Sequence, residues 1–294
     1  MDKKCPVCGI DSKHAFLTKD WNRKITQIDF EYQKCPKCGL LFLANIPNDL
    51  DSYYGNDYYV LPRLQKIKNV AKRERYQMDM VLRFVQCGRL LEVGPGFGVF
   101  AYQAKQAGFE VDVIEKEQTC CDFLRDSIGV NAIKSDVPHK AIEGTPRYDV
   151  IAMWQVIEHL PYPWKFLENA AKKLNNNGIL LIATPNSDAF QLKTLKSKWP
   201  HVDAPRHLNL IPEKLLIEYL EPFDLLPKMI TFTDKGAKSW NKFGWQRYMM
   251  NNCSARLAKY SCFFLGYLVT GLMSVFEDKA DKSSSYTIIF QKKS

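Results

Sequence analysis

Apolar and amphipathic segments alternate regularly along the chain from residue 89. Five short segments are predicted as strands: RLLEVG (89–94), FEVDVIE (109–115), NAIKSD (131–136), YDVIAMW (148–154) and GILLIATPN (178–186). Intervening segments such as GVFAYQAKQAG and QTCCDFLRDSIG repeat apolar residues at helical spacing. This alternation is typical of right-handed βαβ units, and it predicts an α/β domain with a mostly parallel, doubly wound sheet.

The N-terminal part of the chain has a different pattern. WNRKITQIDFEYQKC (21–35) alternates well enough to predict a strand of a β-hairpin. NDLDSYYGNDYYVLPR (48–63) carries four tyrosines and is interpreted either as a loop or lid between domains or as a linker packed by its own rings. Residues 64–85 have helical spacing with a Lys- and Arg-rich face, which we expect to be solvated rather than to bind nucleic acid.

The composition is that of an ordinary globular protein. With 294 residues, 46% hydrophobic and 25% charged, the chain can bury an α/β core and carry a small additional module. Its net charge of +9 would suit nucleic acid, an anionic small substrate or an anionic membrane, and so does not decide among them. The opening stretch MDKKCPVCG lacks the apolar region of a signal peptide, so we expect a cytoplasmic location.

Four of the nine cysteines form two near-identical CPxCG motifs. Cys5 and Cys8 make up the first pair, and Cys35 and Cys38 make up the second after a gap of 26 residues. This spacing predicts a tetrahedral zinc site in a small zinc ribbon and favours it over a redox pair. Because four thiolates fill the coordination sphere, the zinc would be structural. The other five cysteines lie among apolar residues and are expected to be buried without a function: Cys87, Cys120, Cys121, Cys253 and Cys262.

The segment LLEVGPGFGVF places Gly94, Gly96 and Gly98 directly after the first predicted strand. Dinucleotide-binding turns have the spacing G-x-G-x-x-G, whereas these glycines are two residues apart and follow a carboxylate, Glu92. That carboxylate would repel a pyrophosphate but would suit a ligand that carries positive charge. These features argue against a nicotinamide oxidoreductase.

Further polar side chains lie where the next strands end, at the edge where such sheets bind ligands. They are Glu115, Asp136, Trp154 and Gln155. Glu115 is placed to accept both hydroxyls of a ribose, and Asp136 would lie beside the adenine. A nucleoside next to a positive charge, with no phosphate requirement, describes S-adenosylmethionine. Taken singly, each carboxylate could instead be a helix cap or face solvent; the predicted ligand depends on all of them.

With these motifs, residues 76–232 resemble class I S-adenosylmethionine-dependent methyltransferases, in the branch of the ubiquinone-biosynthesis O-methyltransferases (type 11/23). The resemblance implies a Rossmann-like, seven-stranded sheet with an antiparallel last strand, and a glycine turn that wraps the methionine moiety. The CxxCG pair, the YY…YY segment and the PRH motif (205–207) are similar to a subgroup associated with surface polysaccharide or secondary metabolites. The acceptor would then be a small molecule, a sugar or glycan, or a lipid-linked compound.

Methyl transfer mainly requires that donor and acceptor are positioned next to each other and that a base takes the proton of the acceptor. His159, in VIEHL after the fourth predicted strand, lies where the resemblance places the methyl-transfer face, and His207 in PRHLN could close over it. Glu158 is a third candidate. Each histidine could equally be a hydrogen-bonded structural residue.

Two other functions stay open from the sequence. An RNA methyltransferase would explain the zinc module and the positive charge, but the chain lacks the Asn/Asp-Pro-Pro-aromatic and Pro-Cys motifs of base methylation, which argues against a nucleic-acid partner. Alternatively, the protein could bind S-adenosylmethionine without catalysis and use the zinc module to dock a partner. Transfer of a labelled methyl group to a cell extract separates these hypotheses.

The segment YSCFFLGYLVTGLMSVF (260–276) holds 17 consecutive uncharged residues, the lower limit for a membrane span. YTIIFQKK (286–293) is predicted as the antiparallel last strand, so a single span would leave it on the wrong side of the membrane. The apolar segment therefore belongs to an insertion that either packs on the domain or lies on a membrane, with peripheral contact through 256–276 at the inner membrane surface. The basic residues that would favour anionic lipid are Lys242, Arg247, Arg256 and Lys259.

These patterns predict a four-part organisation. The parts are a zinc-ribbon-like module (1–45), a Tyr-rich linker or lid with the start of the basic helix (46–75), the methyltransferase domain (76–235 and 283–294) and a helical apolar insertion (236–282).

Overall fold

A computed structural model describes residues 3–55, 60–253, 258–279 and 281–294. The second tyrosine pair, Tyr58 and Tyr59, and the basic residue Arg256 lie outside the described residues. The strands are β1 (Lys13–Thr18), β2 (Phe30–Lys34), β3 (Leu41–Leu43), β4 (Arg89–Val93), β5 (Glu110–Glu115), β6 (Asn131–Lys134), β7 (Tyr148–Trp154), β8 (Leu174–Pro185), β9 (Asn209–Leu210), β10 (Leu225–Thr231) and β11 (Ser285–Lys292).

The α-helices follow the same chain order between these strands. They are α1 (Leu64–Arg73), α2 (Tyr76–Val81), α3 (Val99–Gln106), α4 (Gln118–Phe123), α5 (Pro138–Ala141), α6 (Pro163–Lys173), α7 (Phe190–Leu195), α8 (Glu213–Leu220), α9 (Lys235–Asn251) and α10 (Ala258–Glu277). Short 3-10 turns and one π-helical turn, which extends α4, complete the described secondary structure.

The central sheet confirms the fold that the sequence predicts. Its seven strands run in the order β10, β11, β8, β7, β4, β5, β6. The strands from β4 to β8 pair in parallel, whereas β11 is inserted antiparallel between β8 and β10. Side chains of β4 alternate between two apolar cores, with Leu91 on one face of the sheet and Leu90 on the other. The carboxyl ends of the parallel strands thus form one edge, which carries the candidate site.

A second sheet of four strands, in the order β1, β2, β3, β9, lies in the N-terminal part. The strand predicted over residues 21–35 is shorter than expected, because only Phe30–Lys34 is a strand. The chain turns before it, where the carboxylate of Asp20 accepts the backbone N–H groups of Arg23 and Ile25 at 3.1 and 2.9 Å. The fourth strand, β9, comes from a distant part of the chain, so the N-terminal residues share a sheet with residues near the candidate site.

Helices α9 and α10 form an antiparallel pair between β10 and β11. Gly266 allows their close approach, since a Cβ there would lie 2.5 Å from the Cα of Gln246. By length and composition, Lys259–Glu277 could cross a membrane, and only 11% of its most apolar window is buried. The cysteine prediction is corrected here: Cys253 and Cys262 form a disulfide, and Cys87 is exposed. Cys120 and Cys121 are buried, as expected.

Candidate active site

In the glycine turn, two of the three glycines are needed because neighbouring side chains of the protein leave no room for a Cβ. All three have positive φ angles, of 63°, 54° and 75° for Gly94, Gly96 and Gly98. A Cβ on Gly94 would lie 2.8 Å from Val156, and one on Gly98 would lie 2.5 Å from Leu124. Gly96 has no atom within 4 Å of its Cβ position. The open space above the turn is therefore at Gly96.

A cavity of about 450 Å³ lies beside this turn, at the carboxyl ends of the strands. This volume is in the range of small-molecule sites. Predicted cofactor residues that line it are Gly94, Gly96, Glu115, Asp136 and Gln155. Asp51 and Tyr54 of the Tyr-rich segment also line it, which the sequence did not reveal.

Glu115 is held at the cavity by backbone donors. Its Oε2 accepts the N–H of Gly96 at 3.0 Å, and its Oε1 accepts the N–H groups of Lys116 and Glu117 at 2.8 and 3.0 Å. Burial raises the pKa of Glu115, and these three hydrogen bonds oppose that rise. A fixed carboxylate with free lone pairs can accept the hydroxyl groups of a ribose.

Glu92 and Trp154 lie behind the cavity wall rather than on it, and Gly98 does not line it either. Glu92 is buried, with one carboxylate oxygen that has no partner among the described residues. Burial raises the pKa of Glu92 to about 8, although a hydrogen bond from the backbone N–H of Ala101 acts to lower it. Trp154 packs edge-on against Phe100, with ring centroids 5.4 Å apart. Neither Glu92 nor Trp154 is therefore placed to touch a ligand in this cavity.

His159 and His207 are brought together, with ring centroids 4.6 Å apart. Nδ1 of His159 lies 3.0 Å from the carbonyl oxygen of Arg206, and Nδ1 of His207 lies 2.8 Å from that of His201. Because a carbonyl only accepts, each Nδ1 carries the proton and each Nε2 keeps its lone pair. Burial lowers the pKa of both histidines, that of His207 to about 3. Both rings are therefore neutral at physiological pH.

Glu158 completes this cluster. One of its oxygens accepts the hydroxyl of Thr184 at 2.9 Å, while the other has no partner among the described residues. Burial raises the pKa of Glu158 to about 8. Donor atoms of Glu158, His159 and His207 lie within 4.8 Å of one another. Such a set can relay a proton or bind a divalent cation.

A buried ionic cluster that the sequence did not reveal supports His159. The Arg206 side chain, 1% exposed, contacts Asp20 and Asp203 at 2.7 Å each and donates to the Tyr53 carbonyl at 2.9 Å. Burial alone would raise the pKa of Asp203, but the hydrogen bonds and charge of Arg206 hold it well below its usual range. Since the Arg206 carbonyl accepts a hydrogen bond from Nδ1–H of His159, the cluster fixes the ring of His159.

A second cavity, of about 580 Å³, is also lined by His159. Its wall includes the whole histidine cluster and the α9 residues Trp240, Phe243 and Arg247. His159 and Gln155 line both cavities. Gln155 has a left-handed backbone, with φ of 57°, which is rare for a residue other than glycine and common at functional sites.

The four CPxCG cysteines converge at a place of their own, and none of them lines either cavity. Their sulfur atoms lie within 4.8 Å of one another, and those of Cys5 and Cys38 are 3.7 Å apart. Tetrahedral zinc with Zn–S bonds of about 2.3 Å separates sulfurs by roughly 3.8 Å, so the set fits this metal. The backbone N–H groups of Cys8 and Cys38 point at the first sulfur of each pair, at 3.5 and 3.4 Å.

Comparison with known proteins defines the class. The methyltransferase domain family matches residues 65–225, more than half of the chain. The chain therefore belongs to the class I S-adenosylmethionine-dependent methyltransferases, as the sequence predicts.

Among curated proteins, it is similar to the ubiquinone biosynthesis O-methyltransferase of Rickettsia bellii, with 32% identity over 102 residues, covering 33% of this chain and 42% of that protein. The mitochondrial ubiquinone biosynthesis O-methyltransferase of Candida albicans is 30% identical over 163 residues, covering 50% and 46%. The chain thus spans less than half the length of these two relatives. A solved S-adenosylmethionine-dependent methyltransferase from Archaeoglobus fulgidus shares the fold, with a TM-score of 0.52, 18% identity and coverage of 77% and 94%.

Proposed function

We propose that the protein transfers a methyl group from S-adenosylmethionine to an oxygen of a small-molecule, sugar or lipid-linked acceptor. The observation that carries this proposal is the pair of cavities that share His159 and Gln155. One cavity would hold the methyl donor and the other the acceptor, so that the methyl group passes at the shared wall. Oxygen as the accepting atom rests on the names of the curated relatives, which are O-methyltransferases.

The first cavity would hold the donor through three kinds of contact. Glu115 would accept the ribose hydroxyls, Asp136 would lie beside the adenine, and the open turn at Gly96 would face the methionine moiety. Buried beneath the turn, Glu92 would act on the positive charge without touching it. When bound, this cofactor supplies a methyl group that is already activated by the sulfonium.

The protein's own part in the reaction is positioning and proton removal. His159 lines both cavities, and because its Nδ1 is fixed by the Arg206 carbonyl, its Nε2 keeps a lone pair. A neutral imidazole held in this way can take the proton of an acceptor hydroxyl. His207 and Glu158 lie next in the cluster and can pass that proton on.

The direct test uses S-adenosylmethionine with a labelled methyl group and an extract of cells that lack the protein. We expect label in a fraction of small molecules or lipids that resists ribonuclease. Label that ribonuclease releases would support the RNA methyltransferase instead. Binding of the donor without any transfer would support the non-catalytic alternative.

Glu115→Ala should weaken binding of S-adenosylmethionine by about 1.5–3 kcal/mol, the scale of a hydrogen bond to a charged group. The reason is the loss of the carboxylate that would hold the ribose. Titration calorimetry with the cofactor and its demethylated product measures the change. Glu117→Ala, two residues further along, removes a half-buried carboxylate that does not line the cavity; it is the matched control and should leave affinity unchanged. An unaltered dissociation constant for Glu115→Ala would remove this residue from the ribose role.

We also propose that Cys5, Cys8, Cys35 and Cys38 hold one structural zinc. Elemental analysis of protein prepared without chelator should give about one zinc per chain. Cys35→Ser should lose the metal and lower the melting temperature, because binding and folding are coupled. Cys87→Ser, at an exposed cysteine, should change neither. Wild-type protein without zinc would contradict the proposal.

A further inference from the structure

Helix α10 exposes an apolar face that the enzyme reaction does not use. Six of its large apolar side chains are each at least 55% exposed: Tyr260, Phe264, Tyr267, Leu268, Leu272 and Val275. Seen down the helix axis, at about 100° per residue, the exposed apolar side chains span an arc of roughly 220°. Phe263 and Phe276 form the two edges of this arc. A stable surface helix in water is expected to show the opposite arrangement, with charged residues outward.

The remaining edge of α10 is attached to the protein. Gly266 packs on the backbone of Gln246 in α9, and Glu277 accepts hydrogen bonds from Trp245 and Gln191, both at 2.8 Å. After Glu277 the chain returns to β11, between β8 and β10. The helix is therefore held along its length at the surface and cannot cross a bilayer by itself.

Basic residues dominate the charge of the helix pair. From Lys235 to Phe276 the sequence contains six Lys and Arg residues and no Asp or Glu. Lys238 is exposed on α9, and the ammonium of Lys242 lies 4.7 Å from the centre of the Tyr267 ring, at the border of the apolar face. Beyond Phe276 come the buried Glu277, which ends α10, and then Asp278 and Asp281, the latter paired with Lys282 at 2.6 Å.

We propose that the α9–α10 pair docks on an anionic lipid bilayer, with α10 lying in the plane of the interface. The exposed apolar arc covers more than half of the circumference of α10. Lipid can surround such an arc, whereas a protein partner would cover only one side of the helix. The excess of basic residues on this pair, whose acidic residue Glu277 is buried, matches the negative surface potential of such a membrane. Trp240 and Phe243 of α9 line the second cavity, so the helix pair also forms part of that cavity's wall. A docked enzyme would thus receive an acceptor from the membrane, a point that rests on the proposed function.

Co-sedimentation of the full chain with vesicles tests the docking without any acceptor. Vesicles of phosphatidylcholine with about one quarter phosphatidylglycerol should retain the protein at low salt, and pure phosphatidylcholine should retain less. The double substitution Leu268→Glu and Leu272→Glu should weaken retention about ten-fold or more, because two leucines lose their burial in lipid. Lys238→Ser should weaken it roughly five-fold on anionic vesicles, the equivalent of about 1 kcal/mol.

The matched control is the pair Leu17→Glu and Ile28→Glu, which places the same charges at leucine and isoleucine side chains that are 52% and 59% exposed in the N-terminal part. It should leave retention unchanged. Affinity for S-adenosylmethionine, measured on every variant, should also be unchanged, which separates this proposal from the proposed function. Equal retention of both double variants, or protein that stays in the supernatant, would overturn the docking. So would a dimer that becomes a monomer on Leu268→Glu and Leu272→Glu.

Discussion

His159→Asn should lower the turnover number by about 10²–10⁴-fold, the usual contribution of a positioned general base. Asparagine keeps a hydrogen-bond donor for the Arg206 carbonyl, which accepts from His159 Nδ1 at 3.0 Å, but it cannot take a proton. The affinity for S-adenosylmethionine should stay within a few-fold of wild type, because the contacts proposed for the donor, at Glu115 and Gly96, are elsewhere in the first cavity. Steady-state transfer of labelled methyl to the acceptor fraction, together with calorimetry, measures both quantities.

The pH profile makes this prediction more specific. Burial lowers the pKa of His159 below its usual value near 6.5, so the neutral, proton-accepting form persists on the acid side of that value. The turnover number should therefore fall only below about pH 6.5, and the fall should disappear in His159→Asn. His139→Asn, a histidine outside both cavities, is the control and should retain turnover.

Two results would assign the histidine cluster differently. Turnover within a few-fold of wild type in His159→Asn would give this residue the structural role that the sequence left open. Activity that a chelator abolishes and a divalent cation restores would show that Glu158, His159 and His207 bind a metal, since their donor atoms lie within 4.8 Å of one another.

The sequence located the ligand edge of the sheet but not how deeply each side chain is buried beneath that edge. Strand ends can be read from apolar runs, which brought Glu115, Asp136 and Gln155 to one cavity. Glu92 lies on the same face of the sheet as Glu115, but it pairs with Val113, two residues before the end of β5, and is therefore buried beneath α3. Trp154 does end β7, but its ring packs against Phe100 of α3. Two residues along a strand thus decide between ligand contact and burial, and a pattern of apolar residues does not show where that limit lies.

Contacts between segments that are distant in sequence could not be predicted, for a different reason. The apolar run 260–276 was evident, but whether it is core or surface depends on how much of it α9 covers, which only the fold shows. Likewise Arg206 and Asp20 are 186 positions apart, and nothing in either local sequence indicates the other. Arg and Asp side chains are usually exposed to solvent. The sequence therefore predicts both residues at the surface and gives no sign that they form a buried ion pair.

That ion pair gives the second large prediction: Arg206→Met should lower the free energy of unfolding by about 3–5 kcal/mol at neutral pH. Methionine fills much of the space but leaves Asp20 and Asp203 buried without a cation, and it removes the donor to the Tyr53 carbonyl. Urea unfolding followed by tryptophan fluorescence measures the change. Arg89→Met is the control, because Arg89 pairs with Glu110 at the surface, where both side chains are at least 41% exposed, and its loss should change unfolding little.

The pH dependence should distinguish an uncompensated charge from a simple packing defect. In the wild type, Arg206 holds the pKa of Asp203 below its unfolded value, so this contribution to stability is present above about pH 4 and is lost as the pH falls further. In Arg206→Met the buried carboxylates should have raised pKa values, so the folded variant takes up protons first and gains stability as the pH falls from 7 towards about 5. The difference between the two proteins should therefore narrow over that interval. A loss of stability that is constant with pH would mean that Arg206 acts through packing alone, and the ionic cluster would then not be what fixes the carbonyl behind His159.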